Sequence, residues 1–74
     1  LRLRQFAKMI EDLSLKEVPG RLAAYLLSVK PSDSNRVQLH ISKSQLANLL
    51  GTVPETLSRV LSRLQAEGVL KVEG

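Results

Sequence analysis

The pattern of apolar and polar positions along the chain predicts three helices: residues 19–30, 42–50 and 54–67. In each stretch apolar residues recur every three or four positions, the spacing that gives a helix one buried face. Pro19 stands in a first turn, where proline is tolerated, and Pro31 ends the same helix in a polar loop. We therefore expect a mainly helical fold.

The second predicted helix carries both a start and a stop signal. Ser42 followed by Gln45 has the form of a capping box, in which each side chain bonds the backbone amide of the other residue. Gly51 accepts the left-handed conformation that ends many helices, and Gly68 gives the third helix the same kind of end.

The start of the third helix is open to two interpretations. Pro54 at the first helical position makes Val53 the formal cap, whereas Thr52 and Glu55 have the spacing of a second capping box. Either start leaves one apolar stripe toward the core: Leu57, Val60, Leu61 and Leu64.

Two short stretches have the period of strands. In residues 37–41 the apolar side chains alternate, and residues 69–72 form a second candidate strand. Three side chains of the first strand are expected to face inward: Val37, Leu39 and Ile41. His40 then points outward, and because it has no partner at ligand spacing we interpret it as a solvated strand residue rather than a metal or catalytic one.

The start of the chain carries the a/d spacing of a coiled-coil seam: Leu3, Phe6, Ile10 and Leu13. The repeat covers less than two heptads, so it fits either the end of a longer dimerisation helix or an amphipathic helix packed on its own domain. Since the chain begins inside this pattern, without Met, we favour the first and expect a piece of a longer protein. Residues 1–13 are then the dimer helix, and residues 14–74 the domain.

Residues 42–50, 51–53 and 54–67 form a helix, a tight turn and a second helix, which is helix-turn-helix spacing. Ala47 is small enough for close helix crossing, and Gly51 permits the sharp turn. A plain helical hairpin would share these features. The register of Ala47 and Gly51, with a strand on each side, favours the DNA-binding motif.

The side of the third helix opposite its apolar stripe is nearly flat: Glu55, Ser58, Arg59, Ser62 and Ala66. Short side chains let a helix enter a major groove about 12 Å wide. Arg59 can donate to O6 and N7 of guanine, Glu55 can accept from N4 of cytosine, and Ser58 can reach a base edge. The alternative is a surface ion pair between Glu55 and Arg59, worth about 0.3–0.5 kcal/mol.

Six residues around this face are candidates for phosphate contacts: Ser42, Lys43, Ser44, Thr56, Ser62 and Arg63. Their hydroxyl and cationic groups suit phosphate oxygens, and a solvated surface role is the alternative for each.

Composition restricts the possible functions. The chain has 74 residues, enough for one small domain, and no cysteine, which excludes disulfides, thiolate metal sites and thiol catalysis. No run approaches a membrane span, and no signal-peptide pattern is present. Eleven Lys and Arg against seven Asp and Glu give a net charge of +4, which favours a polyanionic partner. We expect a cytoplasmic setting and no cofactor in this part of the protein.

Three segments, in this order, resemble the C-terminal winged-helix domain of the bacterial cyclic-AMP receptor protein and fumarate-nitrate reduction regulator (CRP/FNR) family: "VPGRLAAYLLS", "VQLHIS" and "KSQLANLLGTVPETLSRVLSRLQAEGVLKVEG". The resemblance covers about residues 10–74. Its most specific part, Glu55-x-x-Ser58-Arg59, is similar to the E-x-x-S-R of the fumarate-nitrate branch, and Pro54 stands where the cyclic-AMP branch has Arg.

The resemblance implies a winged helix-turn-helix with a three-helix core and a small antiparallel β element, preceded by the end of a dimerisation helix. It implies a homodimer that reads TTGAT-type palindromic half-sites in promoter DNA through Glu55, Ser58 and Arg59, with RNA polymerase as a further partner. The family's sensory domain, with its effector or cofactor, is not in this sequence, nor is the last wing strand, which would follow Gly74.

Two other functions are compatible with parts of the sequence. A winged-helix protein-interaction module could use the same flat face to dock a partner helix. An enzyme is disfavoured by the single isolated His, the lack of Cys and the lack of paired acids on one face.

Overall fold

The computed structural model describes residues 1–4 and 14–72. Three helices and two short strands make up this part of the chain: β1 Arg2–Leu3, α1 Val18–Val29, α2 Lys43–Leu49, α3 Pro54–Ala66 and β2 Leu70–Lys71. The mainly helical fold with a small antiparallel sheet is confirmed.

The first turn of helix α1 packs closely against Ser14, in the segment that precedes the helix. Its N-cap, Glu17, makes no side-chain capping bond, and Pro19 lies in the first turn. The Gly20 Cα lies so close to the backbone of Ser14 that a Cβ there would overlap the Ser14 carbonyl oxygen. Glycine is therefore required at this contact for a steric reason. The helix ends before Pro31, which biases the preceding residue toward extended backbone.

Both predicted end signals of α2 are present. The Ser42 amide donates to Gln45 Oε1 at 2.8 Å, and the Gln45 amide donates to Ser42 Oγ at 3.1 Å, which confirms the capping box. At the other end Gly51 has φ +70°. The Gly51 amide donates to Asn48 O at 3.1 Å and the Thr52 amide to Ala47 O at 2.9 Å, the bond pair of a Schellman motif.

Helix α3 starts at Pro54 with Val53 as an N-cap that makes no side-chain bond, so the alternative box of Thr52 and Glu55 is wrong. It ends in a second Schellman motif. There Gly68 has φ +75°, and the Val69 amide donates to Leu64 O at 3.0 Å. This motif turns the chain directly into β2.

The core is aliphatic and lies where the three helices meet the sheet. Leu22, Leu26 and Leu57 are fully buried. The other buried apolar residues are Leu3, Ala23, Val37, Leu46, Ala47, Leu50, Leu64, Val69 and Leu70. Val60 and Leu61 pack partly buried against this cluster, so the predicted stripe of α3 faces inward.

Strand β1 pairs antiparallel with β2, with Arg2 opposite Lys71 and Leu3 opposite Leu70. On its other side Arg2 forms an isolated bridge with Arg36. The first residues of the chain therefore lie between the two segments that were predicted to be strands.

Two predictions of secondary structure need correction. Leu3, predicted on the dimer helix, is in β1 and 4% exposed in the core of this same chain, because β2 offers it backbone partners and an apolar contact. Phe6, Ile10 and Leu13 lie outside the described residues. The strand predicted over residues 37–41 is also wrong: these residues lack ladder pairing, although Val37 is buried and His40 is exposed as expected.

Candidate nucleic-acid interface

The outer face of α3 is open to solvent. Glu55, Arg59, Ser62 and Ala66 are exposed, and Ser58 is half-buried. None of them lies beneath another segment of the described chain, because the opposite side of the helix carries the residues that pack on the core. The face is thus accessible along its whole length.

The two long side chains of this face are not joined to each other. Among the described residues the only ion pair within 4.0 Å is between Arg63 and Glu67, so Glu55 and Arg59 form none. Nor does either side chain make a hydrogen bond to another described residue. The donors of Arg59 and the oxygens of Glu55 are therefore available to a ligand.

Arg63 stands on the flank of α3 and is partly engaged. Its Nε donates to Glu67 Oε1 at 3.2 Å, with the two side chains 67% and 42% exposed. A solvent-exposed pair of this kind contributes at most about 1 kcal/mol and breaks easily. The terminal nitrogens of Arg63 make no bond within the described part of the chain, which leaves a guanidinium edge for a phosphate.

Three further phosphate candidates lie at the start of α2. Lys43 and Ser44 are exposed there. Ser42 Oγ accepts the capping bond from the Gln45 amide, and the hydroxyl proton remains free to donate to an anion. Thr56, on the first turn of α3, is half-buried. All six phosphate candidates thus reach solvent, and one of them, Ser42, also caps a helix.

A positioning residue that sequence reasoning missed connects α1 to the end of α2. Arg21 Nε donates to Leu50 O at 2.7 Å, and Arg21 Nη1 donates to Leu15 O at 3.2 Å. Leu50 is the C-cap of α2, immediately before the turn that leads to α3. Arg21 therefore holds the start of this turn against α1. The sequence signal for it was absent, since an Arg in a second helical turn normally faces solvent.

Helix α3 packs against α2 and against β2. At the β2 side the Val72 amide donates to Gln65 Oε1 at 3.2 Å, which ties the strand to the last turns of the helix.

Within residues 1–4 and 14–72, no group of three or more metal-binding side chains could hold an ion. No described helix is long and apolar enough to cross a membrane.

Two crossed helices joined by a Schellman turn, the second with its polar face exposed, define the helix-turn-helix class of DNA-binding domains. Comparison with known proteins agrees: the sequence model of the Crp-like helix-turn-helix domain matches residues 20–74. The chain belongs to this Crp-like family, as the resemblance predicted, and it is a DNA-binding domain of the transcription-regulator type rather than an enzyme.

Named relatives include both branches of the family. The chain is 33% identical to the transcriptional activator protein FnrA of Stutzerimonas stutzeri over 97% of its length and 32% of that protein. It is 36% identical to the fumarate and nitrate reduction regulatory protein of Vibrio cholerae, covering 90% of the chain and 29% of that protein. It is 30% identical to the cAMP-activated global transcriptional regulator Vfr of Pseudomonas aeruginosa, covering 99% and 36%.

The chain thus spans about a third of the length of these curated relatives. No solved structure matches it significantly.

Proposed function

We propose that this domain binds promoter DNA of a defined sequence, with α3 in the major groove. The observation that carries the proposal is the exposed outer face of α3, built from short side chains around Arg59 and Glu55, which form no ion pair with any described residue. Arg59 would donate to O6 and N7 of a guanine, Glu55 would accept from the N4 amine of a cytosine, and Ser58 would approach a neighbouring thymine.

Phosphates on either side of the groove would be bound by residues that surround this face. One strand would be bound by Lys43, Ser44 and the hydroxyl of Ser42, which are exposed at the start of α2. The side chains of Thr56, Ser62 and Arg63 would serve along α3 itself. Such contacts fix the position of the helix and carry no sequence information.

The half-site preference that we propose is of the TTGAT type. It rests on the match of Glu55, Ser58 and Arg59 to the fumarate-nitrate pattern and on relatives with that name. A palindromic site would be read by two copies, one half-site each.

For the whole protein we propose a cytoplasmic homodimer, joined through the heptad positions Phe6, Ile10 and Leu13, that contacts RNA polymerase at promoters.

The test is a binding-site selection with the parent chain and Arg59→Ala. We expect the variant to lose about 1–3 kcal/mol of specific affinity, roughly 5- to 150-fold, and to accept other bases at one position. Arg59→Lys should lose most of the same preference, because an ammonium cannot reproduce the two-pronged contact.

Two control variants separate base reading from general attraction. Arg63→Ala and Lys43→Ala each remove a cation beside the face, and we expect both to weaken all duplexes alike. If Arg59→Ala selects the same sequence as the parent, the base-reading assignment is wrong. If the parent binds DNA without a steep dependence on salt, a docking face for a partner helix becomes the better account.

A further inference from the structure

A half-enclosed cavity of about 170 Å³ lies beside the start of α2. It reaches the core, because Leu22, Leu26 and Leu46 line it and are at most 4% exposed. The other apolar residues of its wall come from four separate segments of the chain: Leu1, Leu39 with Ile41, Leu61, and Val72. The described wall is therefore almost entirely aliphatic.

The size of the cavity limits the ligand that could fill it. A cavity of about 150 Å³ with a similar aliphatic wall holds one benzene molecule. A volume of about 170 Å³ therefore admits an aliphatic chain of about six carbon atoms. A longer chain would leave its last carbons in water. Filling the space with carbon removes apolar surface from solvent, which favours binding.

Two polar residues complete the described wall, Ser42 and Lys43. Lys43 is exposed, and its ammonium forms no ion pair or hydrogen bond with a described residue. Since a lysine lays its methylenes along apolar surface and keeps its charge in water, the ammonium belongs at the mouth of the cavity. The Ser42 hydroxyl proton is free as well, because Ser42 Oγ is the acceptor of the capping bond.

The charge at the mouth indicates the class of ligand. No acidic side chain is among the described residues of the wall, so the charge there is positive. A carboxylate can pair with the ammonium and also accept the hydroxyl proton. An inorganic anion would gain nothing from the aliphatic wall, and an uncharged hydrocarbon would gain nothing from Lys43. A short aliphatic carboxylate uses both.

We propose that this cavity binds an aliphatic carboxylate of about six carbons, with its chain against Leu26 and Leu46 and its carboxylate on the Lys43 ammonium. The inference goes beyond the proposed function, because none of the residues proposed to read bases lines the cavity. It holds whether or not the outer face of α3 binds DNA.

The experiment titrates the ¹⁵N-labelled 74-residue chain with straight-chain carboxylates from acetate to octanoate and follows amide chemical shifts by NMR. We expect saturable shifts in residues 39–46. Each added carbon should strengthen binding about fourfold as far as hexanoate, whose Kd should be on the order of 1 mM. Octanoate should gain little over hexanoate, because the cavity is then full.

The role of the charge is tested with 1-hexanol, which has the same chain and no carboxylate. It should bind about three- to fivefold more weakly than hexanoate. Lys43→Gln should weaken hexanoate binding by the same factor and leave 1-hexanol binding unchanged. Lys16→Gln is the matched control, because Lys16 is an exposed cation that does not line the cavity, and it should leave both ligands unchanged.

The role of the cavity is tested with Ile41→Trp, which adds bulk to the wall at a half-buried position. Affinity should then stop rising at a shorter chain than hexanoate. Thermal unfolding of every variant checks that the domain is folded. An unchanged length limit in folded Ile41→Trp would show that the chain binds elsewhere.

Three other results would overturn the proposal. If hexanoate binds no more tightly than 1-hexanol and Lys43→Gln changes neither, the carboxylate assignment is wrong. If acetate binds as tightly as hexanoate, the anion uses a surface cation and not the cavity. If no carboxylate gives saturable shifts at concentrations up to about twenty times the expected Kd, the cavity is not a ligand site. None of these measurements involves DNA, so they stand apart from the test of the proposed function.

Discussion

Removal of the Arg21 side chain tests whether the stability of the helix-turn-helix depends on the hydrogen bond from α1 to the end of α2. Arg21 is on α1, and the carbonyl it binds at 2.7 Å belongs to Leu50, the C-cap of α2. Arg21→Ala would leave that carbonyl to water and would also break the bond to Leu15 O. We expect a large loss of stability with little change in which DNA sequence is preferred, because Arg21 is not on the outer face of α3.

The magnitude follows from the two bonds. A hydrogen bond from a charged donor contributes about 1.5–3 kcal/mol, and the short, partly buried bond to Leu50 belongs in that range. The longer, exposed bond to Leu15 adds about 0.5 kcal/mol. The sum is about 2–3.5 kcal/mol, whereas a domain of this size has a total of roughly 4–11 kcal/mol. The melting temperature should fall by about 8–28 °C.

Thermal and urea unfolding followed by circular dichroism measure this loss directly. Arg21→Lys should recover less than half of it, because an ammonium on a flexible stem cannot hold both carbonyls in place. Arg36→Ala is the control, since its side chain makes no bond within the described residues. A change below about 0.5 kcal/mol for Arg21→Ala would show that the contact does not hold α2 in place.

Three further substitutions test individual local contacts by urea unfolding. Gly20→Ala should cost at least about 2 kcal/mol, because the new Cβ would overlap the Ser14 carbonyl oxygen and lie 2.6 Å from its carbon; a neutral result would mean that the segment before α1 is not packed as described. Gly51→Ala should cost about 1–2 kcal/mol through its φ of +70° alone, since nothing lies within 4 Å of a Cβ there, and Gly51→Asn should cost less. Ser42→Ala should cost about 1 kcal/mol as a lost cap; a loss of DNA affinity in protein that is still folded would reveal the additional phosphate contact.

The helices could be predicted because their signals are local. The helix predicted over residues 42–50 is observed at Lys43–Leu49. It could be predicted because the capping box and the left-handed glycine that define its ends lie within ten residues of each other. The predicted range 54–67 became Pro54–Ala66 for the same reason. Once α3 was placed, helical geometry alone determined which of its residues share the outer face.

The strands could not be predicted with the same success, because a ladder depends on a partner that is distant in sequence. Alternation in residues 37–41 correctly indicated which side chains turn inward, as buried Val37 shows, but it contained no information about pairing. Leu3 fitted a heptad with Phe6, yet its partner is Leu70, and nothing near Leu3 in the sequence signals that contact. The role of Arg21 could not be predicted for the same reason, because the carbonyl that it binds is 29 residues away in the sequence.

The described cations divide into two groups with different dependence on salt. Arg21 and Lys30 donate to backbone carbonyls, Lys30 Nζ to Ser34 O at 2.7 Å, and these short bonds stabilise the fold with little screening. Lys43 and Arg59 have no such partner among the described residues, so salt can screen their charges without breaking a bond of the fold. Rising salt should therefore weaken DNA binding steeply while leaving the fold as stable or more so.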